Sequence, residues 1–227
     1  MAAPWGMIMH RCSPMQDSHS LLSLVQWLSP AFPTGGFAFS HGFEVFIAAG
    51  EVKTAADVRS WLTQVLRYGA GRQDAILLAH ALRPGTDLDA LTSLARALAP
   101  SAERLSETLQ QGAAFARATA ALTGQAYAPR PLPIAVGQAA QTLHLPAAQV
   151  ITLYMHSFAA NLVSVAVRFV PLGQTEGQAV LQALHPLITA LADQADRASL
   201  DDITSGTFRA DMAAMQHETM DVRIFKT

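Results

Sequence analysis

Apolar residues along this chain recur every three or four positions and almost nowhere alternate one by one. Val58, Trp61, Leu62, Val65 and Leu66 form one such stripe, and that period places side chains on a single face of an α-helix. The stripes predict helices from Asp17 or Ser18 to about Leu28, over 40–49, from Thr54 to the glycines at 69 and 71, and over 74–82. Further helices follow from Asp87 to about Leu98, from Ser101 to Leu122, and over about 134–143, 147–169 and 175–195. Boundary chemistry agrees. Thr54 with Asp57 resembles a capping box, Gly50 and Gly124 stand where helices close, and Pro146 stands where a first-turn proline is tolerated. No strand-like alternation is present. The chain therefore reads as all-α, a single-domain bundle of about eight to ten helices. Residues 1–16 read as an irregular extension, 17–200 as the domain, and 201–227 as a flexible C-terminal tail. The tail mixes polar and small residues without a long apolar face, a composition that orders on binding a partner.

Composition narrows the function classes. Of 227 residues, 51% are apolar and 14% charged, with a net charge of −2. That balance offers no electrostatic grip on nucleic acid, which needs a clustered basic face. It also suggests that a partner covers some apolar surface. One cysteine, Cys12, excludes an internal disulfide and points to a reducing, cytoplasmic setting. Residues 147–167 carry no Asp, Glu, Lys or Arg, long enough to span a membrane. Gln149, His156, Ser157, Asn161 and Ser164 interrupt that run and no basic cluster flanks it, so a buried central helix is the expectation.

Catalytic constellations are scarce. There is no GxxxxGK[ST] loop, and YGAGRQD lacks the third glycine and leading strand of a dinucleotide fingerprint. Ser40 and His41 are neighbours, so on a helix they would point about 100° apart rather than form a nucleophile and base. His10, Cys12 and His19 could take a soft metal only from a loose segment, and no HxxxH or HExxH occurs. One pattern does stand out. Tyr154, Ser157, Asn161, Ser164 and Arg168 are spaced 3, 4, 3 and 4, a continuous polar seam on an otherwise apolar helix. Either it packs against polar groups of neighbouring helices, or it lines a wet passage or an interface.

The segment SPAFPTGGFAFSHGFE, residues 29–44, places two prolines, three glycines and four phenylalanines in one turn. Prolines stiffen it and glycines supply φ angles that other residues resist. Phe32, Phe37, Phe39 and Phe43 are then either all core or divided between inward staples and outward anchors. This segment resembles the signature of the UreF family of urease accessory proteins, SP-x-x-P-x-G-x-F-x-x-S-x-G-x-E. It is matched by Ser29, Pro30, Pro33, Gly35, Phe37, Ser40, Gly42 and Glu44. VRFVPLGQTEGQ resembles a second family segment through Arg168, Pro171, Leu172, Gly173, Gln174 and Gln178. HETMDVRIFKT resembles the family's C-terminal HE-x-x-x-x-RLF-x-S through His217, Glu218, Arg223 and Phe225, with Ile224 for leucine and Thr227 for serine.

The resemblance implies a non-enzymatic, all-α homodimer. Such proteins bind a UreD-type scaffold protein, called UreH in some organisms, recruit the nickel-carrying GTPase UreG, and deliver the assembly to apo-urease. It implies no stably bound cofactor and no metal site of the chain's own, nickel being handled by the assembled complex. GTP hydrolysis is modulated, with Arg223 and Arg168 as candidate arginine fingers. The residues expected to bind partners are Pro33, Gly35, Phe37, Ser40, Gly42, Glu44, His217, Glu218, Arg223 and Phe225. Those expected to be structural or to line a nickel passage are Tyr154, Ser157, Asn161, Ser164, Arg168, Gly173 and Gln174. The alternative is a nickel-binding metallochaperone in its own right, with His217 and Glu218 touching the metal.

Overall fold

The computed structural model describes residues 14–226, and among them every regular element is helical. Helix α1 (Pro14–Trp27) leads into the glycine-rich turn, which holds one 3₁₀ turn (Gly36–Ala38) and delivers the chain into short α2 (Phe43–Ala48). Next come α3 (Ala55–Tyr68), α4 (Ala70–Leu82), α5 (Leu88–Ala97) and α6 (Ala102–Thr123). Helices α7 (Leu132–Ala140), α8 (Ala147–Phe169), α9 (Gln174–Arg197) and α10 (Phe208–His217) complete the bundle.

Local chemistry explains these limits. Thr54 Oγ1 accepts the Asp57 N–H at 3.2 Å while Asp57 accepts the Thr54 N–H at 2.9 Å, a working capping box with aspartate in the glutamate's place. Asp87 caps α5, and Ser101 caps α6 through the Arg104 N–H at 3.1 Å. Gly124 closes α6 in the left-handed region, at φ 70°.

Helix α8 is the axis of the core. It packs along α9 and against α3 and α4, and Val150, Ile151, Met155, Ala159, Leu162, Val165 and Ala166 are fully or almost fully buried. Among the described residues α8 is the one helix long and apolar enough to cross a membrane. Here neighbouring helices cover its apolar face, as expected of a central helix.

Three local expectations change. Gly69 forms the joint between α3 and α4, but Gly71 lies inside α4, so that helix starts four residues earlier than the sequence suggests. Helix α2 starts later, because His41 (φ 56°) and Gly42 (φ 71°) both adopt left-handed backbone before it. The third difference is the tail, expected to be loose from residue 201. It carries α10 and then folds back over the turn. The Lys226 N–H donates to the Ala38 carbonyl at 2.8 Å, and buried Phe225 meets Phe169 edge-on at 5.0 Å. The sequence pattern misses this because α10 docks through small residues, Ala213 and Ala214, rather than through a broad apolar face.

Gly42 makes that docking possible. A Cβ there would lie 2.7 Å from the Ala214 nitrogen, too close for any real contact. Gly124 has the same backbone hand and open space around it, which isolates the backbone term. Gly42→Ala is expected to destabilise the fold by about 1–3 kcal/mol more than Gly124→Ala. Thermal melts of the two variants measure the difference, and limited proteolysis should show cleavage ahead of α10 in Gly42→Ala alone. Equal melting temperatures would mean that α10 yields without cost.

Candidate functional site

The turn between α1 and α2 is fastened from beneath. Phe43 stacks on Trp61 at 4.1 Å, Phe32 tilts against Phe115 at 5.6 Å, and Phe39 is buried, so three of its four phenylalanines are inward staples. Phe37 is the exception, 63% exposed at the tip of the 3₁₀ turn. Gly35 (φ 75°) swings the chain into that turn, and Pro33 stands exposed beside it.

The polar seam of α8 grips the same turn by its carbonyls. Ser157 donates to Leu28 O at 2.7 Å, Asn161 to Gly36 O at 3.0 Å, and Arg168 to Phe37 O at 3.3 Å and to Ser164 Oγ at 3.1 Å. Tyr154 donates to Asp74 at 2.8 Å. Each seam residue therefore satisfies, or is satisfied by, a polar neighbour. The seam also walls a cavity of about 360 Å³ between α8, the turn and α6, with Gln174 and Gln178 of α9 on its rim. The seam therefore packs against polar neighbours, and it also borders this hollow.

Charged groups gather at the cavity floor. His41 Nε2 lies 2.8 Å from Glu107 Oε1, Arg104 pairs with the other Glu107 oxygen, and Gln111 donates to Glu107 at 2.9 Å. Burial alone would raise the Glu107 carboxyl, but the Arg104 guanidinium and the His41 ring outweigh it and hold it at about 2. Burial, reinforced by the Arg104 charge, pushes His41 below its ordinary value. Asp74 goes the other way. Burial pushes it up to about 6 despite the opposing pull of Arg104 and the Tyr154 hydroxyl. Burial likewise lifts Tyr154 well above its ordinary value.

The tail closes the far side. The Glu44 carboxylate accepts the Ile224 N–H at 2.9 Å and the Phe225 N–H at 3.0 Å, and it faces His217 Nε2 at 3.1 Å. The other nitrogen of His217, a fully buried residue, faces Glu103 at 2.7 Å, and Glu103 also takes Arg223 at 2.7 Å. Glu218 accepts the Glu103 N–H at 3.1 Å at the start of α6.

The three sequence segments therefore converge on the turn. Ser40, Gly42, Glu44, His217 and Phe225 lie inside, where they fasten tail to turn. Pro33, Phe37, Glu218 and Arg223 reach solvent. The N–H of Gly173 is held by Glu176 at 3.0 Å where α9 begins, and Gln174 follows on the surface. Ser40 and His41 do not form a nucleophile and base. Ser40 Oγ accepts the Glu44 N–H at 3.4 Å, while the His41 ring turns to Glu107. Sequence reasoning passed over Asp74, Glu103, Arg104, Glu107 and Gln111. The spacing of Arg104, Glu107 and Gln111 on one face of α6 was the available signal, but such a row ordinarily reads as a solvated face. No group of three or more His, Cys, Asp or Glu side chains among the described residues is arranged to hold a metal ion. His10 and Cys12 lie outside the described residues, and His19 is exposed.

The chain was also compared with known proteins. The family model described as UreF matches residues 52–185. The chain is 65% identical over 210 residues to the urease accessory protein UreF of Cereibacter sphaeroides strain ATCC 17025, covering 92% of this chain and all of that protein. It is 50% identical over 207 residues to the UreF of Jannaschia sp. strain CCS1, covering 91% of this chain and 94% of that protein. It is 45% identical over 222 residues to the UreF of Roseobacter denitrificans, covering 97% of this chain and all of that protein.

The opposed shifts of Asp74 and Glu107 give a pH signature. Glu107 is held low, so its contribution is present above the ordinary carboxylate range and is lost only as pH falls through about 2. Asp74 is held high, at about 6, so the folded chain binds its proton more tightly than the unfolded chain does. It therefore favours folding as pH falls from above 6 toward 4, and opposes folding above 6. Asp74→Asn is expected to melt higher than wild type at pH 8, with the gap narrowing below pH 6 and closing only near pH 4. Thermal melts across that range check it, and a gap independent of pH would refute it.

Proposed function

The chain belongs to the UreF family of urease accessory proteins, and from that premise we propose that it is a non-catalytic scaffold of urease maturation. In this reading it joins a UreD/UreH-type protein and the nickel-carrying GTPase UreG, as a cytoplasmic homodimer, and delivers them to apo-urease. It holds no cofactor stably, and the assembled complex handles the nickel. The observation that carries the reading is an uncovered apolar stripe on α10. Phe208, Met212 and Met215, spaced i, i+4 and i+7, are 40–74% exposed, and Val222 and Ile224 continue the exposed apolar surface into the tail. Apolar side chains gathered on one helix face, on a segment anchored by Glu44 and Gly42, form a surface suited to burial against another protein.

Two further features support this reading. Phe37 is an exposed aromatic on a turn fastened at Gly36, Phe37 and Ala38, so it loses little freedom on docking. The cavity behind that turn, with its polar wall and charged floor, supports a part in nickel passage. Modulation of the GTPase would draw on Arg223 rather than Arg168. Arg223 is half-exposed and has one carboxylate partner to leave, whereas Arg168 holds the turn and Ser164 in place.

The test is co-expression with a UreD-type scaffold and a UreG-type GTPase, read by size-exclusion chromatography with light scattering. The expected result is a co-eluting complex with two copies of each chain. Met212→Glu with Met215→Glu, and separately Phe37→Ala, should weaken or abolish co-elution while the free protein's melting temperature holds. A chain that runs alone beside competent partners would overturn the scaffold reading. Undiminished assembly of both variants would overturn the docking surfaces.

A further inference from the structure

Most half-buried or buried histidines in this fold are tied down by hydrogen bonds. His41 faces Glu107, His80 reaches the Ala198 carbonyl at 3.1 Å, and His217 sits between two carboxylates. His156 on α8 and His185 on α9 are different. Among the described residues neither ring hydrogen-bonds to a protein group. The rings face each other across the helix pair, with centroids 5.4 Å apart and planes tilted by 50°. His156 is half-buried and His185 exposed, so the pair lies open to solvent from one side.

That spacing has a chemical meaning. Two imidazoles that share one metal ion, with metal–nitrogen bonds near 2.0–2.1 Å, hold their ring centres about 4.5–5.2 Å apart at octahedral to tetrahedral angles. The observed separation exceeds that range by only a few tenths of an ångström. Imidazole is the ligand that zinc, nickel and copper favour and that magnesium and calcium do not. We propose that His156 and His185 form a two-imidazole site for a divalent transition-metal ion, bridging the central helices α8 and α9 and leaving the ion's other positions to water. The pair is an open site of two ligands rather than a closed cage, so the ion exchanges readily. This inference stands apart from the scaffold reading and uses none of its surfaces.

The experiment is equilibrium dialysis and thermal melting of the tag-free full chain carrying His10→Ala and Cys12→Ser, so that the N-terminal donors do not compete. Zinc and nickel ions are the probes, with magnesium as the control. Zinc or nickel should bind at about one ion per chain and raise the melting temperature by a few degrees, because an ion that joins α8 to α9 binds the folded state alone. Magnesium should do neither. His185→Ala changes an exposed side chain and should melt as its parent does without metal, yet lose both the binding and the shift. His156→Gln should do the same. Binding that survives in His185→Ala, or an absence of binding by both ions in the parent chain, overturns the site. Co-elution of His185→Ala with the partner proteins is read separately, so loss of metal and loss of assembly cannot be confused.

Discussion

The carboxylate of Glu44 is the interaction on which the rest of the turn depends. It is buried, and a buried carboxylate is tolerated only when its oxygens are fully engaged. Two backbone N–H groups of the tail and the His217 ring meet that demand. Turn and tail are therefore not independent. Removing the tail would leave a charge stranded in the core beside Phe43 and Gly42, and removing the charge would leave two tail N–H groups without an acceptor. The bare backbone of Gly42, the burial of Phe225 and the chain from His217 through Glu103 to Arg223 are all arranged around this contact.

A second carboxylate plays the matching part at the cavity floor. Glu107 collects Arg104, His41 and Gln111, and its low pKa shows that attraction to the two bases outweighs the cost of burial. Between the two carboxylates, α6 becomes the wall that the turn and tail lean on. The polar seam of α8 forms the opposite wall. Backbone N–H groups already take many of the turn's carbonyls, and Ser157, Asn161 and Arg168 add donors to those of Leu28, Gly36 and Phe37. The glycines and prolines make the turn possible, and these three side chains keep it in one shape.

The sequence showed what repeats and concealed what does not. Helix α8 could be read to its ends, and the caps at Thr54, Asp87 and Ser101 were visible because capping acts within three residues. The seam was visible too, since its spacing needs only one helix. The contacts of Glu44 were not, because they join residues 173, 180 and 181 positions apart, and no periodicity encodes such a pair. Helix α10 was hidden for a related reason: its buried face is two alanines, fitted to a glycine, and one histidine, which reads as a polar, small-residue tail. The division of the four phenylalanines was equally closed to inspection, since inward and outward positions in an irregular turn follow no period. His156 and His185 lie 29 positions apart on different helices, and only the pairing of α8 with α9 sets them ring to ring.

The arrangement also determines how a protein docked on the tail could be felt elsewhere. The Ala38 carbonyl accepts from Lys226 of the tail, and the Phe37 carbonyl accepts from Arg168 of α8. Phe37 is thus the exposed tip of a segment clamped by the tail on one side and by the seam on the other. A partner that covers the α10 stripe would press on the segment that carries Lys226. One hydrogen bond joins Lys226 to the Ala38 carbonyl beside Phe37, and a second joins the Phe37 carbonyl to Arg168 on the cavity wall. A looser turn would absorb any shift in its own φ and ψ angles. This one has inward phenylalanines and carbonyls already engaged, so the least constrained response is a small rigid movement of the tip against α8. Coupling of that kind needs no second fold, only the contacts that already hold the turn closed.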